Sequence, residues 1–224
     1  MGPENAVPAP NAMIPADAAG GMVKYNDDIF KAATKSGDYL PRLQLMTANS
    51  DPCKGGKFPI NHYALIRDQN FQDVGEAVDM LVISWRPKAL EIGENVISVF
   101  KIENPEFQRI QSKSAEQDSG CMYGIEFLVW IPAVKEFATF FCGSKSSRRE
   151  APAIRTLVSK AATLKAKLCE NKKYKWYAPS VTPCSTPFDP PNLTKVKEVV
   201  DKFNNPPETT VEVADEAASA DRAR

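Results

Sequence analysis

The stretch Met122-Tyr123-Gly124-Ile125-Glu126-Phe127-Leu128-Val129-Trp130-Ile131 decides the fold class. It is rich in β-branched and aromatic residues, carries a single charge at Glu126, and is bounded by Gly120 and Pro132. Such a run reads as a long apolar strand. Its strongly apolar part, Phe127-Leu128-Val129-Trp130-Ile131, is far shorter than the roughly 20 residues a membrane helix needs. Outward from it, the same composition recurs at 42–47, 61–67, 78–85, 96–102 and 137–142, separated by Gly, Pro, Asn and Asp. In the first of these, Leu43, Leu45 and Thr47 alternate with Arg42, Gln44 and Met46, as a half-buried strand requires. The polar segment 103–120 predicts a loop with a short helical turn around 106–111.

Past residue 143 the period changes. Ile154, Leu157, Val158, Ala161, Leu164 and Leu168 recur at three- and four-residue steps, which predicts an amphipathic helix over about 151–170. Ser147 and Glu150 have capping-box spacing, whereas Pro152 favours a start two or three residues later. A strand over 173–182 and a second helix over 193–203, using Val196, Val199, Val200 and Phe203, complete the pattern. Together these predict an α+β class: a β-rich single domain over 39–206 with one or two helices. Residues 1–38, rich in Pro, Gly and Ala at their start, read as a mostly disordered arm. Residues 207–224 read as a flexible acidic tail. No repeat of 20–50 residues is visible.

Several function classes are excluded. The 224 residues hold 28 basic and 28 acidic side chains, so neither a uniformly basic histone-like protein nor a wholly acidic disordered chain fits. No two of Cys53, Cys121, Cys142, Cys169 and Cys184 are closely spaced, which excludes a zinc ribbon or a thioredoxin-like pair and favours reduced, buried thiols. His62 is the sole histidine and sits in a strand-like run, which predicts a structural role. Gly143-Ser144-Lys145-Ser146 resembles part of a phosphate loop, but Ala138 stands where the first glycine is required, so an ATPase is rejected. No cofactor is expected. The N-terminus has neither a secretory leader nor a myristoylation pattern, so the expected compartment is cytoplasmic, the host cytoplasm for a viral chain.

The zero net charge hides an asymmetry. Residues 144–175 carry ten basic side chains against two acidic ones. Lys145, Arg148 and Arg149 precede the predicted helix or sit at its beginning, where unpaired N–H groups already favour an anion. These cations either bind phosphate or pair with carboxylates from the acidic first part of the chain. In Lys172-Lys173-Tyr174-Lys175-Trp176-Tyr177, strand alternation puts Lys173, Lys175 and Tyr177 on one face and Tyr174 and Trp176 on the other. Lysines beside flat rings suit single-stranded nucleic acid, whose backbone needs cations and whose bases stack. The alternative sends Tyr174 and Trp176 into the core. Trp85-Arg86-Pro87-Lys88 repeats the association at the end of another strand, adding Arg86 and Lys88 to the candidates. Glu208, Glu212, Asp215 and Glu216 give the tail four acids and no base over 208–216, suited to competing with nucleic acid or recruiting basic partners.

This organisation, with a β-rich core, a late helix, basic-aromatic strand residues and an acidic C-terminus, resembles the single-stranded-DNA-binding proteins of tailed phages, which are OB-fold proteins. The resemblance spans about 39–220. It implies an OB-like barrel and non-catalytic binding of single-stranded DNA in phage DNA replication or recombination. Lys145, Arg148, Arg149, Lys172, Lys173 and Lys175 would neutralise phosphates, and Tyr174, Trp176 or Tyr177 would stack bases. It also implies partner replication or recombination proteins at the tail, and a homo-oligomer remains compatible; no membrane partner is expected. Two other readings stand beside it: a virion structural, assembly or adaptor protein, and a metal-dependent nuclease using Asp118 and Glu126.

Overall fold

The computed structural model describes residues 40–67, 70–93, 95–116, 119–185, 189–206 and 209–213. The element order is β1 (Arg42–Leu45), α1 (Asp51–Lys54), β2 (Tyr63–Arg67), β3 (Asn70–Gly75), β4 (Ala77–Ile92), β5 (Asn95–Val99), α2 (Pro105–Lys113), β6 (Cys121–Ile131), β7 (Glu136–Cys142), α3 (Lys145–Arg155), β8 (Ala161–Glu170), β9 (Lys175–Pro183), α4 (Leu193–Asn204) and β10 (Thr209–Val213). The protein is a strand-rich α+β fold built on one mixed sheet.

The apolar run ending at Ile131 lies at the centre of that sheet. As β6 it pairs antiparallel with β4 from Leu81↔Trp130 to Glu91↔Cys121 and with β7 from Ile125↔Cys142 to Ile131↔Glu136. The sheet runs β10-β5-β4-β6-β7-β1-β2-β3, with β8 on β4 and β9 on β8. The β1–β7 pair is parallel and the other ladders are antiparallel. β3 passes into β4 through the single residue Glu76, and the Tyr63 hydroxyl at the start of β2 donates to the Lys165 carbonyl on β8 at 3.1 Å. The sheet is mostly open, and the Tyr63–Lys165 bond links β2 to β8.

Alternation along β4 and β6 creates two cores. Val78, Met80 and Val82 join Phe127, Val129 and Ile131 on one face, where Ala151 and Ile154 of α3 complete the packing. On the other face Leu128, Trp130 and Phe137 are covered by Val196, Val199, Val200 and Phe203 of α4. α2 adds a smaller cluster, packing Phe107 and Ile110 on Ala89, Val99 and Cys121. Burial of this much aliphatic and aromatic surface, at about 25 cal/mol per Å², is what holds the sheet and helices together.

Four expectations need correction. The helix expected over 151–170 does not exist as one element. α3 starts earlier, capped by Ser144, whose Oγ accepts from the Ser147 N–H at 3.1 Å, and it ends at Arg155 with Pro152 inside it. From Ala161 the chain is strand β8, because β4 offers it a ladder from Ala77↔Lys165 to Leu81↔Ala161. β4 does not stop near Trp85 but continues through Pro87. Proline is tolerated there because β4 pairs with β8 over 77–81 and with β5 over 89–92, so between them its ladder is with β6 alone. There are four helices among the described residues rather than one or two, including α1 and α2. Finally, 209–213 of the predicted tail form β10, paired with β5 from Thr209↔Val99 to Val213↔Asn95. Residues 1–38 and 214–224 lie outside the described residues.

Candidate nucleic-acid interface

Nine of the ten basic residues of 144–175 fall on α3 and on the β8–β9 hairpin, with Lys160 in the turn between them, not on one long helix. The hairpin is closed by Asn171-Lys172-Lys173-Tyr174. The Asn171 Oδ1 accepts the N–H groups of Lys173 and Tyr174 at 2.8 and 2.7 Å, and the Asn171 N–H donates to the Tyr174 carbonyl at 2.9 Å. This Asx-type turn presents Lys172 and Lys173 at the tip, both exposed. Tyr174 is half-buried beside them.

Beyond the tip, Glu170 pairs with Lys175, Cys169 with Trp176 and Leu168 with Tyr177. Lys175 is exposed, and its Nζ lies 3.4 Å from Glu170. Trp176 and Tyr177 are half-buried. The Trp176 indole N–H donates to the Ser146 hydroxyl at 3.0 Å, fastening the hairpin to the first turn of α3. Lys145 and Arg149 flank Ser146 there, four residues apart on one side of the helix, and both are exposed. Trp176 is thus neither sealed in the core nor a free stacking ring: one edge of it is an anchor. Two cation clusters more than twenty residues apart in sequence, Lys145 with Arg149 and Lys172 with Lys173, are carried by two elements that this bond joins.

Three predicted cations are employed elsewhere. The Arg148 guanidinium donates to the Gly143 and Tyr123 carbonyls at 2.7 and 3.1 Å and lies 4.3 Å from the Tyr123 ring centroid. It therefore relieves the crowding of cations at the helix start by serving main-chain acceptors. Arg86 and Lys88 share a sheet face and both bind Glu126, at 2.6 and 2.7 Å. Arg86 is further held between the rings of Phe100 and Phe203, 3.9 and 4.1 Å away, and donates to the Phe203 carbonyl. Arg86 and Lys88 therefore neutralise a buried carboxylate and are themselves largely buried. Burial alone would raise the Glu126 carboxyl. The charges and hydrogen bonds of Lys88 and Arg86 outweigh it and hold the group below the ordinary carboxylate range.

That cluster carried a sequence signal. A lone Glu inside an apolar strand demands a cation, and Arg86 and Lys88 alternate onto one face of a neighbouring strand. Sequence reading also missed Lys165 and Lys167, placed on a helix although they are exposed on β8 with Trp176 on the same side of the ladder. Arg155, at the end of α3, lies 4.0 Å over the ring of Trp85.

The chemistry of the other candidates is equally plain. His62 is half-buried before β2, its Nδ1 at 2.9 Å from Asp73 and its Nε2 at 3.7 Å from Glu76. Cys121 and Cys142 are buried, and burial pushes both thiols up; Cys53, Cys169 and Cys184 are half-buried, and all five are unbridged. Glu126, one carboxylate of the nuclease reading, is occupied by two cations, and Asp118 lies outside the described residues. Among the described residues no group of three or more His, Cys, Asp or Glu side chains is arranged to hold a metal ion. No described helix is long and apolar enough to cross a membrane. No family model, curated protein or solved structure matches the chain.

Proposed function

We propose that the protein binds single-stranded DNA without chemistry, through a basic surface formed by the first turn of α3 and the β8–β9 hairpin. The observation that carries this reading is the Trp176–Ser146 hydrogen bond, which joins the element bearing Lys145 and Arg149 to the one bearing Lys172, Lys173 and Lys175. Five cations on two joined elements, with one carboxylate, Glu170, paired to Lys175 and Glu150 half-buried, make a surface whose natural ligand is a polyanion. An OB-like barrel belongs to the same reading. Its support is the short β3–β4 passage and the bond from Tyr63 on β2 to Lys165 on β8, although the ten described strands exceed a minimal five-stranded barrel. Roles in replication or recombination, in the host cytoplasm, and recruitment of partners by the acids beyond residue 213 follow as parts of the same proposal.

The test is fluorescence polarisation with labelled single- and double-stranded oligonucleotides over a salt series. Affinity for the single strand should exceed that for the duplex and fall steeply with salt. Replacing Lys145, Arg149, Lys172 and Lys173 together by Ala should reduce the slope of log K against log salt by about 0.7 for each phosphate no longer neutralised. An unchanged slope in a folded quadruple variant would remove this reading. A large oligomer in the absence of nucleic acid, with no oligonucleotide affinity, would favour the assembly-protein reading instead.

A further inference from the structure

The β4–β8 ladder ends at Ala77↔Lys165, while β8 and β9 stay paired out to Glu170↔Lys175. The hairpin therefore continues past its supporting strand as a two-stranded ribbon. Its two faces differ. One carries Cys169 with Trp176 and Lys167 with Ala178, and Trp176 is committed to Ser146. The other continues the main core outward. Leu164 is fully buried and Pro179 is buried; next come Tyr177, half-buried, and Leu168, 49% exposed; Lys175 and Glu170 close the row in solvent. Leu168 and Tyr177 are directly opposed in the register, so their side chains meet on that face.

An exposed leucine beside a ring offers an apolar seat. The charge around it selects the occupant: this face and the tip hold three lysines, Lys172, Lys173 and Lys175, against one acid, Glu170. A second copy approaching through this face would bring two such ribbons together and meet like-charge repulsion. An apolar, flat and polyanionic ligand would meet none. An unpaired nucleotide has all three properties, a stacking base and a phosphate on one unit. We infer that Tyr177, seated on Leu168, is the base-stacking platform of the ribbon, with Lys175 and the tip lysines receiving the adjoining phosphates. Trp176, one residue away on the opposite face, positions the ribbon. This inference rests on the single-strand reading above, and it adds the ring and the face that take the base.

Two ligands separate the effects: a labelled oligothymidylate and an abasic oligonucleotide of equal length, which keeps the phosphates and lacks the bases. Tyr177→Leu preserves apolar contact with Leu168 and removes the flat face; Tyr177→Phe preserves both. Full-length Tyr177→Leu should bind oligothymidylate about tenfold or more weakly, with abasic binding unchanged, and Tyr177→Phe should match the wild type. Equal affinity of Tyr177→Leu and wild type for oligothymidylate, together with loss of binding in the quadruple cation variant, would overturn the platform and leave the single-strand reading standing. No binding by the wild type to either ligand would overturn both. A concentration-dependent dimer dispersed by Leu168→Ala would also overturn the platform, assigning the patch to self-association.

Discussion

The Arg86 guanidinium lies 2.6 Å from the carboxylate of Glu126, a side chain 3% exposed at the middle of the central strand. Lys88 reaches the other oxygen of the same carboxylate at 2.7 Å. The pairing is structural: Arg86 also donates to the Phe203 carbonyl and stacks on its ring, so the cluster clasps the last turn of α4 to the sheet. Glu126→Gln leaves two largely buried cations without their counter-charge. Breaking a buried pair on one side costs about 3–5 kcal/mol. Urea denaturation should show a midpoint lowered accordingly with an unchanged m-value. A loss under about 1 kcal/mol would mean that water enters the site and solvates the cations.

A second acid sets the response to low pH. Glu91 receives hydrogen bonds from Arg109, an interaction that, with the charges of Arg109 and Lys113, overcomes desolvation and holds its carboxyl at about 2. In the unfolded chain the same group titrates near about 4.3. Its folded value is depressed, so its contribution to stability is complete above the unfolded value and is lost as pH falls toward about 2. Thermal melts of wild type should therefore decline between pH about 4.3 and about 2. Glu91→Gln should start less stable at neutral pH and decline less over that window. Parallel curves for the two proteins would contradict the assignment. The group binds α2 to β4, so hydrogen exchange should show α2 loosening first.

The strands around Met122–Ile131 were legible because their signal is local: β-branched and aromatic runs between turn residues. The segment α3 to β8 was not, for a geometric reason. Leu164 and Leu168 are four apart, and four satisfies both a helical stripe and a strand of period two. The discriminating residues lay between them, since Lys165 and Lys167 are exposed while Ala162 and Leu164 are buried. Ala, Leu and Lys favour a helix intrinsically, but the ladder on β4 overrides that preference. The site divided in the same way. Lys172 and Lys173 are exposed, but because they lie in the turn before β9 and not through strand alternation. Arg86 and Lys88 could have been set apart by the lone Glu126 inside its apolar strand, whereas Arg148 could not, because its acceptors are the Tyr123 and Gly143 carbonyls, which no pattern reveals.

Two glycines, Gly120 just before β6 and Gly124 within it, reflect close packing rather than flexibility alone. Gly120 has φ +66°, and a side chain there would also overlap the Ile92 carbonyl. At Gly124 a Cβ would overlap the Cys142 carbonyl oxygen, where β7 ends beside β6. The obstacle is main chain in both cases and cannot rotate away. Gly124→Ala should destabilise the protein by about 3 kcal/mol or prevent folding, beyond the usual cost of overpacking by a methyl group. Circular dichroism and yield of soluble protein measure this directly. Gly55→Ala, where a Cβ would meet nothing closer than the Lys57 side chain at 3.8 Å, is the matched control and should be near neutral.

The bond from Trp176 to Ser146 is the mechanical link on which the proposed surface depends, and it is weak enough to be tested without unfolding the protein. Ser146→Ala removes an acceptor from a half-buried indole N–H, which costs about 1 kcal/mol. Stability alone does not reveal a role in alignment. If the bond holds Lys145 and Arg149 in line with the hairpin lysines, then Ser146→Ala should also weaken oligonucleotide binding, although no charge has been removed. The salt slope separates misalignment from the removal of one uncharged partner: misaligned clusters engage fewer phosphates at once, so the slope should become shallower. Trp176→Phe, which keeps the ring and loses the donor, should reproduce both changes. Ser146→Ala and Trp176→Phe combined should be no worse than either alone, because both delete the same hydrogen bond. An additive double variant would show that Trp176 contributes to binding by a route separate from Ser146, and the anchoring role assigned to it would fall.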